Sequence, residues 1–219
     1  MKNTLTRFIM NSVEIEVAKK LLQINTIKFQ PSNPFTWASG WKAPIYCDNR
    51  KILSYPETRS FIRDQFVKII RDKYPDVEVI AGVATGAIAH GALVAEKLGL
   101  PFIYIRSKPK GHGLENMIEG DMKPGQKVVV VEDLISTGTS SLKAAEAILN
   151  FGGNVLGMAA IFTYNFPVAK ENFKKAGIEL TTLSRYQVLI DLALENGQIK
   201  KEEVAHLIKW REDPSNWGK

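Results

Sequence analysis

The sequence VVVVEDLISTGTS, residues 128–140, combines an apolar run, two adjacent acids and a loop of small hydroxylated residues. Successive valines predict a strand that is buried on both faces, as in a parallel sheet, and we expect it over residues 127–131. Glu132 and Asp133 then fall at the carboxyl end of this strand. The residues that follow, Ser136 to Ser140, predict a turn into a helix over 140–150.

Alternating strands and helices extend outward from this segment in both directions. We expect strands over residues 77–83, 102–105, 155–163 and 179–183, and helices over residues 87–98 and 167–176. This βαβα order predicts an α/β fold, in which helices flank a parallel sheet.

The two ends of the chain are predicted to add smaller elements to this core. Asn11 and Glu14 have the spacing of a capping box at the start of a helix, and residues 29–55 favour short strands and loops. A second helix is expected after Pro56, with four apolar residues buried: Phe61, Phe66, Ile69 and Ile70. Residues 186–210 predict two helices broken at Asn196-Gly197. We expect one domain over 1–219, with a helix and hood over 1–55, a core over 77–184 and C-terminal helices over 185–219.

Composition limits the classes of protein to which the chain can belong. One cysteine cannot form an internal disulfide, and no Cys/His group has zinc-site spacing. The polar start and the lack of an apolar run of about 20 residues favour a cytoplasmic protein without a membrane span. With 29 Lys+Arg against 23 Asp+Glu, the net charge is +6, which by itself allows nucleic acid, a membrane surface or a small anionic substrate as partner.

Two loops are candidates for binding phosphate. Ser136 to Ser140 would present hydroxyls and helix N-terminal N–H groups, and the acids before them could hold ribose hydroxyls or hydrated Mg²⁺. The alternative is that these residues only cap a helix and end a strand. Gly82 to Ala87 also joins a strand to a helix, where small residues serve either a pyrophosphate or tight packing.

A third loop concentrates positive charge. Arg106, Lys108, Lys110 and His112 lie within seven residues, together with Pro109 and Gly111. Cations in a flexible loop can close over a leaving pyrophosphate and stabilise the charge that develops on it. The alternative is a solvated basic surface loop. Because much of the remaining Lys and Arg is scattered over helices, this placement favours a polyanionic metabolite over nucleic acid.

Three motifs carry a resemblance to a known family. Residues 128–140 closely resemble the phosphoribosyl-pyrophosphate (PRPP) signature of the type I phosphoribosyltransferase family. Residues 104–113 with 118–120 are similar to the mobile loop of the orotate-using branch of that family. Residues 35–50, FTWASGWKAPIYCDNR, are similar to the hood of the same branch, which carries the pattern F-T-x-x-S-G-x-x-[SA]-P-x-Y-x-D-x-R.

The resemblance implies a type I phosphoribosyltransferase-like parallel sheet with a small N-terminal hood. It implies transfer of the 5-phosphoribosyl group of PRPP to orotate, which gives orotidine 5′-monophosphate and pyrophosphate. Mg²⁺ is implied as cofactor, held mainly by PRPP and not by protein ligands. A homodimer is implied, in which the 106–113 loop acts on the neighbouring subunit, with no nucleic acid or membrane partner.

The resemblance also implies roles for individual residues. The catalytic set is Arg106, Lys110, His112, Glu132 and Asp133. These five are expected to bind PRPP together with Thr85, Gly86, Leu134, Ile135, Ser136, Thr137, Gly138, Thr139 and Ser140. Ser136 and Lys42 are expected to contact orotate. Some members have an orotate-binding arginine where this chain has Tyr164, and Lys42 or Arg50 is the candidate to replace it.

Two other functions stay open from the sequence alone. One is a phosphoribosyltransferase for another base, and the other is a PRPP-sensing regulator of the same fold that binds nucleic acid. His90 and Cys47 are interpreted as ordinary residues, the first in a helix and the second a small buried side chain in the hood.

Overall fold

The computed structural model describes residues 12–108 and 117–218 of the chain. Its helices are α1 (Ser12–Gln23), α2 (Pro56–Lys73), α3 (Ile88–Leu98), α4 (Thr139–Asn150), α5 (Pro167–Ala176), α6 (Tyr186–Glu195) and α7 (Lys201–Glu212), with a 3₁₀ helix over Asn49–Ser54. Its strands are β1 (Ile27–Phe29), β2 (Phe35–Thr36), β3 (Lys42–Ala43), β4 (Ile45–Cys47), β5 (Val79–Val83), β6 (Phe102–Ile105), β7 (Ile118–Glu119), β8 (Lys127–Ile135), β9 (Asn154–Thr163) and β10 (Leu180–Arg185). The predicted cap residue Asn11 lies outside the described residues.

A six-stranded sheet forms the centre of the molecule, in the order β10-β9-β8-β5-β6-β7. All neighbouring pairs are parallel except β6 and β7, which are antiparallel. Every residue of β5 is buried, as is the four-valine run of β8, because helices cover both faces. The α/β fold predicted from the strand–helix alternation is confirmed.

Strand β8 is longer than the sequence predicted. It continues past Val131 to Ile135 because β9 pairs with it along its whole length, with Glu132 opposite Ala160 and Leu134 opposite Phe162. The predicted strand end at residue 131 was therefore wrong. As a result, Glu132 and Asp133 have strand geometry, in which neighbouring side chains point to opposite faces.

Helix α2 buries a stripe that differs from the predicted one. Phe66 and Ile70 are completely buried as expected, but Phe61 and Ile69 are only partly buried. The buried stripe runs instead through Ile62, Phe66 and Ile70, at helical spacing of four residues. Phe61 lies at the flank of this stripe, where its ring receives the Lys20 ammonium at 5.0 Å.

The hood consists of two short antiparallel pairs, β1 with β4 and β2 with β3, followed by the 3₁₀ helix. Short strands were predicted here, and the 3₁₀ helix was not. An aromatic cluster joins the hood to the segment after β9, to α6 and to α7: Trp37, Tyr164, Phe166, Tyr186 and Trp210, with neighbouring ring centroids 5.0–6.4 Å apart. The Trp210 indole also donates to the Lys42 carbonyl at 3.2 Å, so the C-terminal helix holds the hood against the core.

None of the helices within the described ranges is long and apolar enough to cross a membrane.

Candidate active site

Three loops leave the sheet at one edge. They follow β5 (84–87), β6 (from 106) and β8 (136–138). Because the carboxyl ends of parallel strands lie at the same edge, the predicted pyrophosphate loop, basic loop and phosphate loop are brought together. The strand order reverses between β5 and β8, because β6 lies on one side of β5 and β8 on the other. Ligands bind at such a switch point in open α/β sheets, and we call the space outside the carboxyl ends of these two strands the crevice.

Gly86 and Asp133 meet in this crevice. A Cβ atom added to Gly86 would overlap the Asp133 carboxylate, so only glycine allows the loop after β5 to approach the end of β8 this closely. Asp133 is only partly buried. The structure thus places one acid of the predicted pair directly beside the predicted pyrophosphate loop.

The other acid of the pair is turned into the protein. Glu132 is 5% exposed, and its two carboxylate oxygens accept from the Ser141 hydroxyl at 2.7 Å and from the Asp133 backbone N–H at 2.9 Å. Burial raises the pKa of Glu132 well above its usual value, and the nearby Asp133 charge raises it further. Glu132 therefore holds the backbone N–H of Asp133, and Asp133 is the acid with access to the crevice.

We expect Glu132→Gln to raise the melting temperature at neutral pH and to lower activity. The folded protein holds a proton on Glu132 more tightly than the unfolded chain does, so stability falls as the pH rises from the unfolded pKa through the folded one. A neutral amide removes this penalty, and about 1 kcal/mol corresponds to about 2–4 °C for a chain of this size. Thermal unfolding of both proteins across pH measures the difference, which should shrink toward acidic pH.

The exposed residue Glu146 provides the matched control on the same helix as Ser141. Glu146→Gln should leave the melting temperature unchanged across the same pH range. A Glu132→Gln protein that is less stable than wild type at every pH would contradict this account of the buried acid.

The phosphate loop turns at Gly138, which has a φ of 77° and packs against the Phe173 ring. Asn172 donates to the Thr137 carbonyl at 3.0 Å and fixes the loop. Gly138 is also the N-cap of α4 and provides no side-chain cap. The first turn of α4 therefore keeps N–H groups that can bind an anion.

The remaining predicted residues of this segment divide by burial. Ser136 and Thr137 are partly exposed, and Thr139 and Ser140 are exposed. Leu134 is partly buried, whereas Ile135 is completely buried and its carbonyl accepts from Tyr164 N–H at 3.1 Å.

The described part of the basic loop begins with an ion pair. Arg106 donates to the Glu119 carboxylate at 3.0 Å, and the Arg106 N–H donates to the Met117 carbonyl at 2.8 Å. The loop therefore leaves and re-enters the sheet at adjacent points of β6 and β7. Lys108 is exposed. Lys110 and His112 lie outside the described residues.

The hood contributes two cations in different settings. Lys42 donates to the Thr36 hydroxyl at 2.8 Å within the exposed β2–β3 hairpin. Arg50 donates to Asp48 at 2.6 Å, which lowers the pKa of Asp48. The same contact with Asp48 raises the pKa of Arg50, and the Asp133 charge adds a smaller contribution. Tyr164, in contrast, is 1% exposed inside the aromatic cluster and has a structural role.

Three residues at this site were missed as functional candidates. Ser141 holds Glu132, and Glu119 holds Arg106. Asn49 donates from its side-chain amide to the Asp133 carbonyl at 2.7 Å. Glu119 carried a signal, since it faces a basic run across one loop. Asn49 and Asp133 are 84 residues apart, and no local pattern links them.

Comparison with known proteins gives consistent results for sequence and structure. The phosphoribosyl transferase domain family matches residues 50–179. An orotate phosphoribosyltransferase of Porphyromonas gingivalis is 61% identical over 92% of this chain and 96% of its own length. An orotate phosphoribosyltransferase of Streptococcus gordonii is 56% identical over 92% of this chain and 97% of its own.

Solved structures resemble the fold. The orotate phosphoribosyltransferase of Aeropyrum pernix has a TM-score of 0.73 at 27% identity and covers 84% of this chain and 99% of its own. The Leishmania donovani UMP synthase has a TM-score of 0.76 at 26% identity, and the match covers 90% of this chain and 42% of that one.

Proposed function

Because the chain belongs to the orotate phosphoribosyltransferase family, we propose that it transfers the 5-phosphoribosyl group of PRPP to orotate, giving orotidine 5′-monophosphate and pyrophosphate. This is a pentosyltransferase reaction of pyrimidine biosynthesis. One observation supports the site above all others. The Asp133 carboxylate meets Gly86 in the crevice between β5 and β8, beside the N-terminus of α4.

The reaction is a displacement at the anomeric carbon of the ribose. A ring nitrogen of orotate gives up its proton and forms a bond to this carbon, and the bond to the pyrophosphate oxygen breaks, with its electron pair leaving on pyrophosphate. The released proton passes to pyrophosphate or to solvent. Positive charge develops on the ribose ring in the transition state. A fixed carboxylate facing this charge stabilises it more than the neutral ground state, and Asp133 has the position and access for that role.

The phosphate loop, the loop after β5 and the two acids bind different parts of PRPP. Residues 136–140 bind the 5′-phosphate through hydroxyls and N–H groups, and the loop of Thr85 and Gly86 binds the pyrophosphate side. Asp133 holds the ribose diol. Glu132 acts together with Asp133. To contact the ribose directly, the Glu132 carboxylate must give up its hydrogen bond from Ser141 and accept one from a ribose hydroxyl.

Mg²⁺ is part of the proposal as a cofactor carried by the substrate. Within residues 12–108 and 117–218 there is no group of three or more His, Cys, Asp and Glu side chains arranged to hold a metal. The partly exposed Asp133 could contact the water shell of a Mg²⁺ that PRPP would carry into the site. When bound, the ion would neutralise charge on the pyrophosphate.

The basic loop completes the site at the leaving group. Arg106, Lys110 and His112 bind the departing pyrophosphate, and His112 can donate a proton to it. We place this loop over the neighbouring subunit of a homodimer. The Arg106–Glu119 pair holds the described base of the loop at the edge of the sheet.

Mixed dimers test the position of the loop. In a dimer of one Lys110→Ala and one Asp133→Asn subunit, a loop acting on the neighbour leaves one intact site, because both defects fall in the same site. Random mixing of equal amounts should therefore restore about a quarter of wild-type activity. Activity is measured after denaturation and refolding of the mixture. Activity no higher than that of the separate variants would contradict a loop that acts across subunits.

Ser136 and a hood cation face the orotate side of the reaction in this proposal. Lys42 is the cation implied by the family resemblance, and Arg50, which donates to Asp48 directly after β4, is the alternative candidate. Lys42→Ala and Arg50→Ala, each assayed for the KM of orotate, distinguish the two residues.

A panel of bases tests the function itself. Consumption of orotate, uracil, xanthine and hypoxanthine is followed with PRPP and Mg²⁺. We expect turnover of orotate only. Turnover of another base in preference to orotate would overturn the proposal and assign a different phosphoribosyltransferase.

We also infer a cytoplasmic location and a single domain for this protein. A cytoplasmic location is supported by the single cysteine, which is buried in the hood as a free thiol. One domain over 1–219 is supported by a core cluster that extends from Val17 in α1 to Trp210 in α7.

A further inference from the structure

We propose that Asn49 is a positioning residue for the transfer reaction and sets the main chain of Asp133; this inference rests on the function proposed above. Strand β8 loses one of its two neighbouring strands before it ends. Its pairing with β5 stops at Gly82 and Val131, two residues before Asp133. On the other side, β9 continues to pair with β8 through Glu132 and Leu134. The backbone groups of Asp133 therefore need partners that β5 does not supply.

Two side chains fill that place. Glu132 accepts from the Asp133 N–H at 2.9 Å, and Asn49 donates to the Asp133 carbonyl at 2.7 Å. Asn49 is completely buried, so the hydrogen bond from its side-chain amide is shielded from water. If Asn49 were absent, the Asp133 carbonyl would lose this partner. Leaving a buried carbonyl unpaired costs more free energy than a hydrogen bond contributes, so this position requires a side chain that donates to the carbonyl. Asn49 thus takes the role of a neighbouring strand at the residue whose carboxylate faces the crevice.

Asn49 is itself fixed by two neighbours. Its side-chain oxygen accepts from the Cys47 thiol at 3.3 Å. Its backbone is hydrogen-bonded to the ring of His90, which is 2% exposed on α3. Helix α3 follows the loop that contains Gly86, and Gly86 contacts the Asp133 carboxylate. Asn49 therefore links the hood, the pyrophosphate loop and the acid through one buried network.

This arrangement has a consequence for catalysis. A carboxylate that faces developing charge stabilises it only while its orientation is held, so loosening the Asp133 main chain should reduce kcat. Asp133 also holds the ribose diol, so the KM of PRPP should rise as well, whereas the KM of orotate should change little. Asn49 does not touch substrate in this account. It acts through Asp133.

A double-mutant cycle tests the inference. Asn49→Leu, which keeps the size and removes the hydrogen bonds, should lower kcat about 10-fold in the wild-type background, with little change in the KM of orotate. In the Asp133→Asn background the same change should have no further effect on kcat, because the group it positions has been neutralised. A purely structural role would lower activity equally in both backgrounds. Activities are referred to the number of PRPP-binding sites measured by calorimetry.

Cys47→Ala is the matched control. It removes one of the contacts that fix Asn49 and leaves the bond to Asp133, so its loss of kcat should be smaller than that of Asn49→Leu. Asn49→Ser repeats the cycle with a smaller polar residue if Asn49→Leu does not fold. Equal losses in both backgrounds, a loss in Cys47→Ala as large as in Asn49→Leu, or failure of both Asn49 variants to fold would overturn the inference. A wild-type protein without activity on orotate would instead overturn the proposed function.

Discussion

Asp133→Asn should lower kcat/KM by about 10²–10³-fold while leaving the fold intact. The substitution is isosteric and removes only the negative charge. The main-chain bonds from Asn49 and to Glu132 are retained, because both involve the backbone of residue 133. The loss therefore reports the stabilisation of positive charge on the ribose in the transition state. Steady-state kinetics with orotate and PRPP provide the measurement.

Asp72→Asn is the control for this prediction, since it makes the same change at an exposed residue of α2. It should retain wild-type kinetics. The melting temperature of Asp133→Asn should not fall. If Asp133→Asn kept wild-type kcat/KM, then the crevice between β5 and β8 would not be the site of transfer.

Lys110→Ala should lower kcat about 100-fold with little change in the KM of orotate. The lysine is predicted to meet the pyrophosphate as the bond to the anomeric carbon breaks, so its charge matters most in the transition state. Orotate does not carry the charge that develops on pyrophosphate, so the KM of orotate should change little. Initial rates over a matrix of both substrate concentrations separate kcat from the two KM values.

Lys108→Ala is the matched control, because it removes the same charge two residues earlier in the same loop. We expect a loss of less than about 10-fold, which measures the general attraction of a basic loop for a polyanion. Glu115→Ala should have no comparable effect. Equal losses in all three variants would mean that the loop acts as a whole and that Lys110 has no specific role.

Local sequence patterns predicted most of the fold. The unbroken run of four valines predicted a strand that is buried on both faces, and these residues of β8 are buried. The boundaries of α5 and β6 match those expected from turn residues. The extension of β8 through Glu132 and Asp133 was not predictable from these patterns. Two acids argue against a strand, and only pairing with β9 outweighs this preference.

The candidate site was predictable to the extent that its residues are consecutive. Ser136 to Ser140 and Thr85 to Gly86 each follow a strand, so their position at one edge follows from a parallel sheet. The roles of Asn49 and Trp210 depend on contacts between distant segments. Trp210, for example, donates to Lys42, which lies 168 residues away. Such contacts follow from the packing of the hood on the core, which the sequence pattern alone does not encode.

The most direct test of the account is the stoichiometry of the reaction in a single sample of the pure protein. Orotate loss is followed by absorbance after addition of PRPP and Mg²⁺, and pyrophosphate and orotidine 5′-monophosphate are quantified at the end point. The account predicts that all three amounts are equal in the wild-type protein and that Asp133→Asn slows their formation by at least about 100-fold. Pyrophosphate release without loss of orotate, or orotate loss at the same rate in Asp133→Asn, would contradict it.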